Sequence, residues 1–202
     1  MVIIYYYNMK KDFILSLIIG EVAAWLIIYS SKNLNIPYVN FLPVVFPFLC
    51  AIGLIIAYFL SKKIPVIYQL AKFILVGGLN FLIDISVLSL LIFSTGITSG
   101  LLQSGFKAIS FVVAVFNSFF WNKYWTFSYN KNKEVFKEFP QFLTVSTIGL
   151  LINVFVDYIF VNKIPVFVVD LKSWAQLGAV IASIAALIWN YLGYKFIVFK
   201  KE

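Results

Sequence analysis

The residues best able to do chemistry in this chain are two lysines near the ends of apolar stretches. Asn117 to Phe127 reads NSFFWNKYWTF, with Lys123 directly after Asn122; Trp189 to Phe199 reads WNYLGYKFIVF, with Lys195 directly after Tyr194. Ser118 and Asn122 are four residues apart, as are Asn190 and Tyr194, so each lysine follows two polar side chains one helical turn apart. A lysine ammonium binds phosphate as a mobile point charge, without the fork geometry of arginine. A single lysine at a helix end is explained by snorkelling to lipid headgroups. Two at matching positions, each beside a polar turn, favour recognition of an anionic lipid headgroup.

Other polar residues sit inside apolar runs: Asn80, Asp84, Asn117, Asn153, Asn190 and Glu21. Gly77, Asn80 and Asp84 fall at i, i+3 and i+7, one face of a helix, and Ser146, Gly149 and Asn153 repeat that spacing. Small and polar residues on such a face bring helices together and bond across them. Asp84 lies roughly 20 Å along its helix from Ala71, deep enough for its charge to need a partner. Glu21 lies roughly 12 Å from Phe13 and reads either as a protonated packing residue or as a cation-linked carboxylate. Trp121, Trp125 and Trp189 suit the aromatic belt at a membrane interface, as do Tyr5, Tyr6 and Tyr7.

Much chemistry is excluded. The chain has no histidine and one cysteine, so a His or Cys metal site, a Cys–His nucleophile and an intramolecular disulfide are all ruled out. No Walker-type glycine-rich loop is present. No enzymatic activity, metal or cofactor is therefore expected.

The elements that must position these residues are membrane helices. Hydrophobic residues make up 62% of 202 positions and charged residues 12%, far from soluble usage. Six apolar runs approach the roughly 20 residues a spanning helix needs: Phe13 to Tyr29, Phe41 to Leu60, Leu70 to Phe93, Phe106 to Phe127, Phe139 to Val161 and Trp174 to Phe196. The expected fold is an all-α, polytopic bundle of six transmembrane helices. The net charge of +8 comes from lysine alone, spread along the chain rather than gathered on a soluble module, so nucleic acid is not an expected partner. With both termini inside, twelve of the sixteen lysines face the cytoplasm and Lys32, Lys107, Lys163 and Lys172 face outward, as the positive-inside rule prefers. Lys10 and Lys11 before the first run resemble a signal peptide, but Glu21 interrupts the run and no small-residue cleavage site follows, so a retained helix is expected.

Pro65 marks the expected module boundary: a two-helix extension over 1–65 and a four-helix domain over 66–202. Within that domain FILVGGLNFLID, from Phe73, aligns with FLTVSTIGLLIN, from Phe142, at an offset of 69. The second helices align at an offset of 72, matching Lys123 with Lys195 and Phe127 with Phe199. The repeats span about 70–128 and 139–199, two helices each, so the copies share one orientation and a parallel repeat is expected. Asp157 falls near the outer interface and is expected to be solvated. The mixed-charge stretch Ser128 to Glu138 reads as a solvated cytoplasmic connector or, more sharply, a docking surface for an enzyme.

FILVGGLNFLID, NSFFWNKYWTF and the degenerate second copy ending YKFIVF resemble the GtrA-like family of small membrane proteins over about residues 66–200. The resemblance implies a four-helix core in the prokaryotic cytoplasmic membrane, associated with cell-surface polysaccharide synthesis, that moves polyprenyl-phosphate-linked sugars or holds the glycosyltransferase that makes them. It implies family-type positions at Asn117, Asn122, Lys123 and Trp125, with Asn190 and Lys195 in the second copy. The chain departs from the family in having lysine where arginine is frequent, and Tyr194 where the second asparagine would stand.

Three functions compete on this reading. The first is a carrier or flippase for a polyprenyl-phosphate sugar, with Lys123 and Lys195 on the phosphate beside Asn122 and Tyr194, and polar contacts to the sugar from Asn117, Asn190 and Asp84. The second is a scaffold recruiting a cytoplasmic glycosyltransferase, and the third a small proton-coupled exporter using Glu21. Two hairpins enclose little volume, so a homo-oligomer is a further expected partner state.

Overall fold

The chain, seen as a computed structural model, is described over residues 9–32, 36–128, 135–165 and 171–200. Tyr5, Tyr6, Tyr7, Lys131 and Lys133 fall outside those residues. Every regular element among the described residues is helical: α1 Met9–Ser30, a 3-10 turn Val39–Phe41, α2 Leu42–Ser61, α3 Val66–Thr95, α4 Gly100–Trp121, a π-helical segment π1 Asn122–Thr126, α5 Val135–Lys163, α6 Leu171–Gly193 and a second π segment π2 Tyr194–Val198. Six helices are long and apolar enough to cross a membrane, and the protein is a multi-pass membrane protein.

Local chemistry sets the helix limits. Pro65 caps α3, where its missing N–H costs nothing, and Gly96 ends it in the left-handed region at φ 73. Ser99, extended at φ −154, then starts α4 at Gly100. This helix begins six residues before the expected start at Phe106. The uncharged stretch between the expected spans, rich in Ser, Thr and Gly, contains Leu101 and Leu102, which extend the apolar run. Lys107, expected at the outer edge of the span, is consequently seven residues inside α4, roughly 10 Å along it. At the other connector, Val135–Glu138 form the first turn of α5, and Glu138 is buried rather than solvated.

The chain divides into two compact units, Met1–Thr126 and Phe127–Glu202. In the first, α1 and α2 touch backbone to backbone. A β-carbon added at Gly20 would lie 2.5 Å from Pro47 Cα, so only glycine lets the helices approach this closely. Ile19, Leu54, Ala57, Tyr68, Val76, Leu79 and Trp125 form the unit's core. α1 runs parallel to α3: Asp12, near its start, meets Tyr68 and Lys72, while Ser30, at its end, bonds Ser86 at 2.8 Å. Phe48, Ile52, Ile56 and Phe59 leave an exposed apolar stripe on α2, the surface that lipid chains would cover.

The second unit is the antiparallel pair α5 and α6 with π2. Phe142, Val145, Tyr191, Tyr194, Val198 and Phe199 are buried, and Phe142 stacks on Tyr194 with ring centroids 4.2 Å apart. Gly193 admits Val145, whose Cγ1 would lie 2.4 Å from an added β-carbon. Asp157, expected to be solvated, is half-buried against α6, its Oδ1 3.4 Å from the β-carbon position of Gly178.

Candidate functional site

Both lysine motifs end in a π segment, a rare geometry that recurs at functional sites. In the first, the Ser118 carbonyl receives the backbone N–H of Asn122 and also its side-chain Nδ2 at 2.9 Å. That local competition for one carbonyl loosens the ordinary i→i−4 ladder. In the second, the Phe199 N–H reaches back five residues to the Tyr194 carbonyl at 2.8 Å.

Asn122 and Lys123 are both enclosed, at 1% and 0% exposure. Lys123 does not snorkel: its ammonium lies over the rings of Phe119 and Tyr124, at 5.8 and 5.7 Å from their centroids. The Asn122 Oδ1 beside it is buried and has no hydrogen-bond partner among the described residues. A buried lysine and a buried acceptor with no donor among the described residues thus occupy adjacent positions in π1.

What holds this segment is a cluster that the spacing analysis did not single out. The Asp12 carboxylate, 4% exposed, takes an ion pair from Lys72 at 2.5 Å and hydrogen bonds from the Tyr68 hydroxyl at 2.9 Å and the Trp125 indole at 2.8 Å. Lys72 also lies over the Tyr68 ring at 4.8 Å and the Trp125 ring at 5.4 Å. Three donors on one carboxylate, with the cation on two aromatic faces, satisfy a buried pair that would otherwise be costly. In the sequence the only signals are a carboxylate in the first turn of α1 and a lysine that counts only toward topology.

The tryptophans expected in an interfacial belt turn to the protein. Trp125 is 3% exposed and bonded to Asp12, and Trp121 packs edge-on against it at 5.6 Å. Trp189 donates to the Val145 carbonyl at 3.0 Å. An indole N–H inside a helix bundle needs an acceptor; α1 supplies one to Trp125 and α5 one to Trp189.

The polar face of α3 meets α4. Asn117 donates its amide to Asn80. One turn along α3, Asp84 pairs with Lys107 and accepts a 2.5 Å hydrogen bond from the buried Ser110 hydroxyl. On α4, Lys107, Ser110, Asn117 and Ser118 fall at i, i+3, i+10 and i+11, one face, and Ser118 continues to Asn122 at 3.2 Å. A line of polar side chains therefore follows this helix pair.

In the second unit the corresponding face is sparser. Asn190 lies over Gly149, where an added β-carbon would meet its Oδ1 at 2.2 Å, and that oxygen is buried without a partner among the described residues. Asn153 reaches Ser183 at 3.5 Å. Tyr194 bonds Ser146 at 2.7 Å, while half-buried Lys195 approaches the Tyr191 hydroxyl at 3.5 Å and lies over the Phe196 ring at 5.5 Å. Glu21 joins none of these groups: it accepts a 2.8 Å hydrogen bond from the exposed Trp25 on its own helix. Among the described residues no cluster could hold a metal ion.

The family model of the GtrA/DPMS transmembrane domain matches residues 72–199. The chain belongs to this family. The matched span begins at Lys72, the partner of Asp12, and ends at Phe199, the last buried ring of the π2 motif. It contains both π segments, the α3–α4 polar line and the orphaned acceptors of Asn122 and Asn190. Neither curated proteins nor solved structures give a match.

Proposed function

We propose that this GtrA/DPMS-family protein carries polyprenyl-phosphate-linked sugars across a prokaryotic cytoplasmic membrane. The observation that carries the reading is that Asn122 and Lys123, adjacent in π1, are both buried inside the fold, and that the Asn122 side-chain oxygen has no hydrogen-bond partner among the described residues. A phosphosugar presents an anion beside hydroxyl donors, so a cation beside an unoccupied acceptor is its complement. Asn190, with its own oxygen unpartnered among the described residues, and Lys195, five residues later, repeat these residue types in the second unit. Asn80 and Asn117 supply further groups for sugar hydroxyls, while the prenyl tail stays in lipid against the exposed apolar faces. No nucleotide is consumed; net movement follows use of the sugar on the far side.

The test is reconstitution of the full chain in liposomes with a fluorescent polyprenyl-phosphate sugar, following its accessibility from the opposite leaflet. Wild type should speed transfer, and Lys123→Gln should slow it about tenfold or more, the loss expected when a charge-assisted phosphate contact is removed. Unchanged transfer in both would overturn the carrier reading. Binding of a glycosyltransferase without transfer would replace it with the scaffold.

A further inference from the structure

The α3–α4 ion pair has no role in the site around Lys123, yet it lies within both helices, Asp84 eleven residues from the end of α3 and Lys107 seven from the start of α4. Asp84 and Lys107 pair across the two helices, and Ser110, fully buried, holds the second Asp84 oxygen. The Lys107 side chain is 50% exposed whereas Asp84 is 19% exposed, so the carboxylate is enclosed and the ammonium is reachable from outside.

Packing does not require these charges. At the offset of 72 that matches Lys123 with Lys195, the residues opposite Lys107 and Ser110 are Ala179 and Ala182; at the offset of 69, Asn153 stands for Asp84. The α5–α6 hairpin closes over them with Ala182 fully buried and ends in the same kind of π segment. An ion pair kept within a membrane span, where alanine and asparagine stand at the matching positions of the other hairpin, marks a place where charge is used.

We propose that Lys107 is a second station for a lipid phosphate, at the end of α4 opposite Lys123, with Asp84 as the counter-anion that holds it when no phosphate is bound. This rests on the lipid-linked-sugar reading above. The two lysines are sixteen residues apart on one continuous helix, roughly 24 Å, close to the roughly 30 Å hydrocarbon thickness. A phosphate near the α3–α4 turn draws the flexible Lys107 stem away from Asp84, whose carboxylate keeps the Ser110 hydrogen bond. The Asn80–Asn117 pair, one turn further along α3, lies on the line between the stations. On release of the phosphate, Asp84 takes Lys107 back, so the ammonium is never left without an anion in a low-dielectric setting.

The experiment measures amine modification at Lys107 by mass spectrometry, using the full chain in lipid nanodiscs of zwitterionic lipid. The additions are polyprenyl phosphate, uncharged polyprenol, phosphatidate or inorganic phosphate. Polyprenyl phosphate should protect Lys107 about fivefold or more and polyprenol should not, since the contact is electrostatic. Asp84→Asn should tighten polyprenyl-phosphate binding several-fold, and adding Lys107→Gln should cancel that gain. The double variant carries no charge at the pair, as in the second hairpin, and provides the folded control. The gain should persist in a Lys123→Gln background, which separates this station from the one in the carrier proposal. Protection by phosphatidate but not polyprenyl phosphate would keep an anion site and overturn the lipid-linked-sugar reading. Protection by inorganic phosphate alone, by polyprenol equally, or by nothing would overturn the station itself.

Discussion

The Trp125 indole donates a 2.8 Å hydrogen bond to the Asp12 carboxylate, 113 residues earlier in the chain. It links the first turn of α1, outside the matched family span, to the π segment that carries Lys123. Lys72 and Tyr68 complete the shell around that carboxylate, so the N-terminal hairpin and the lysine motif are mechanically one object.

Removing Asp12 should therefore damage more than a helix terminus. Asp12→Ala leaves the Lys72 ammonium buried without its anion, a change that costs about 3–5 kcal/mol when a buried pair is broken. Chemical unfolding in detergent micelles should show that loss, and Asp12→Leu combined with Lys72→Met should recover most of it. A double variant as unstable as the single would mean that the charges are not the cause.

Trp125→Phe keeps an aromatic ring but removes the indole N–H together with its five-membered ring. It should cost about 1–3 kcal/mol, the penalty for leaving a buried acceptor short of a donor. Lys123, enclosed in the native fold, should also become more reactive toward amine reagents. Unaltered reactivity would show that the Asp12 contact does not hold the π segment in place.

The Asn80–Asn117 bond should be worth little in stability and much in transfer. Membrane side-chain hydrogen bonds average about 0.6 kcal/mol, so the Asn80→Leu, Asn117→Leu double variant should unfold within about 1 kcal/mol of wild type. Its transfer of lipid-linked sugar in liposomes should fall sharply if those amides meet the sugar. Wild-type transfer would remove them from the path.

Two glycines on neighbouring helices should respond oppositely to alanine. Gly20→Ala drives a β-carbon to 2.5 Å from the Pro47 backbone, which cannot move as a side chain would, and overpacking of this kind costs about 1–3 kcal/mol. Gly53→Ala meets nothing within 4 Å and should be neutral or stabilising by up to about 1 kcal/mol through helix propensity. Thermal unfolding of both in one detergent provides the comparison.

Much of this could be read from the order of residues. Six spans follow from the length of the apolar runs, because bilayer thickness and helix rise are properties outside the fold. The expected limits of α2, Phe41 to Leu60, differ by one residue at each end from the observed Leu42–Ser61. The Asn80 and Asp84 face was visible as an i, i+4 spacing, and the need of Asp84 for a partner followed from its depth.

The partners themselves were decided only in three dimensions. Nothing near Asp12 in the sequence announces Trp125, because their meeting depends on α1 lying parallel to α3 and on where π1 turns back. The same holds for the tryptophans. Their amphipathic rings suit a headgroup layer as well as a buried acceptor, and only neighbouring helices choose between the two. Lys107 looked like a charge at the outer end of its span, but α4 begins at Gly100 and places it further inside. A short, uncharged stretch carries weak signals for either helix or loop, and its state is settled by the hairpin it closes. Sequence alone thus determines which segments leave water, since that depends on each residue's own transfer free energy. Tertiary structure decides which charges meet inside, since that depends on pairs of residues brought together by packing.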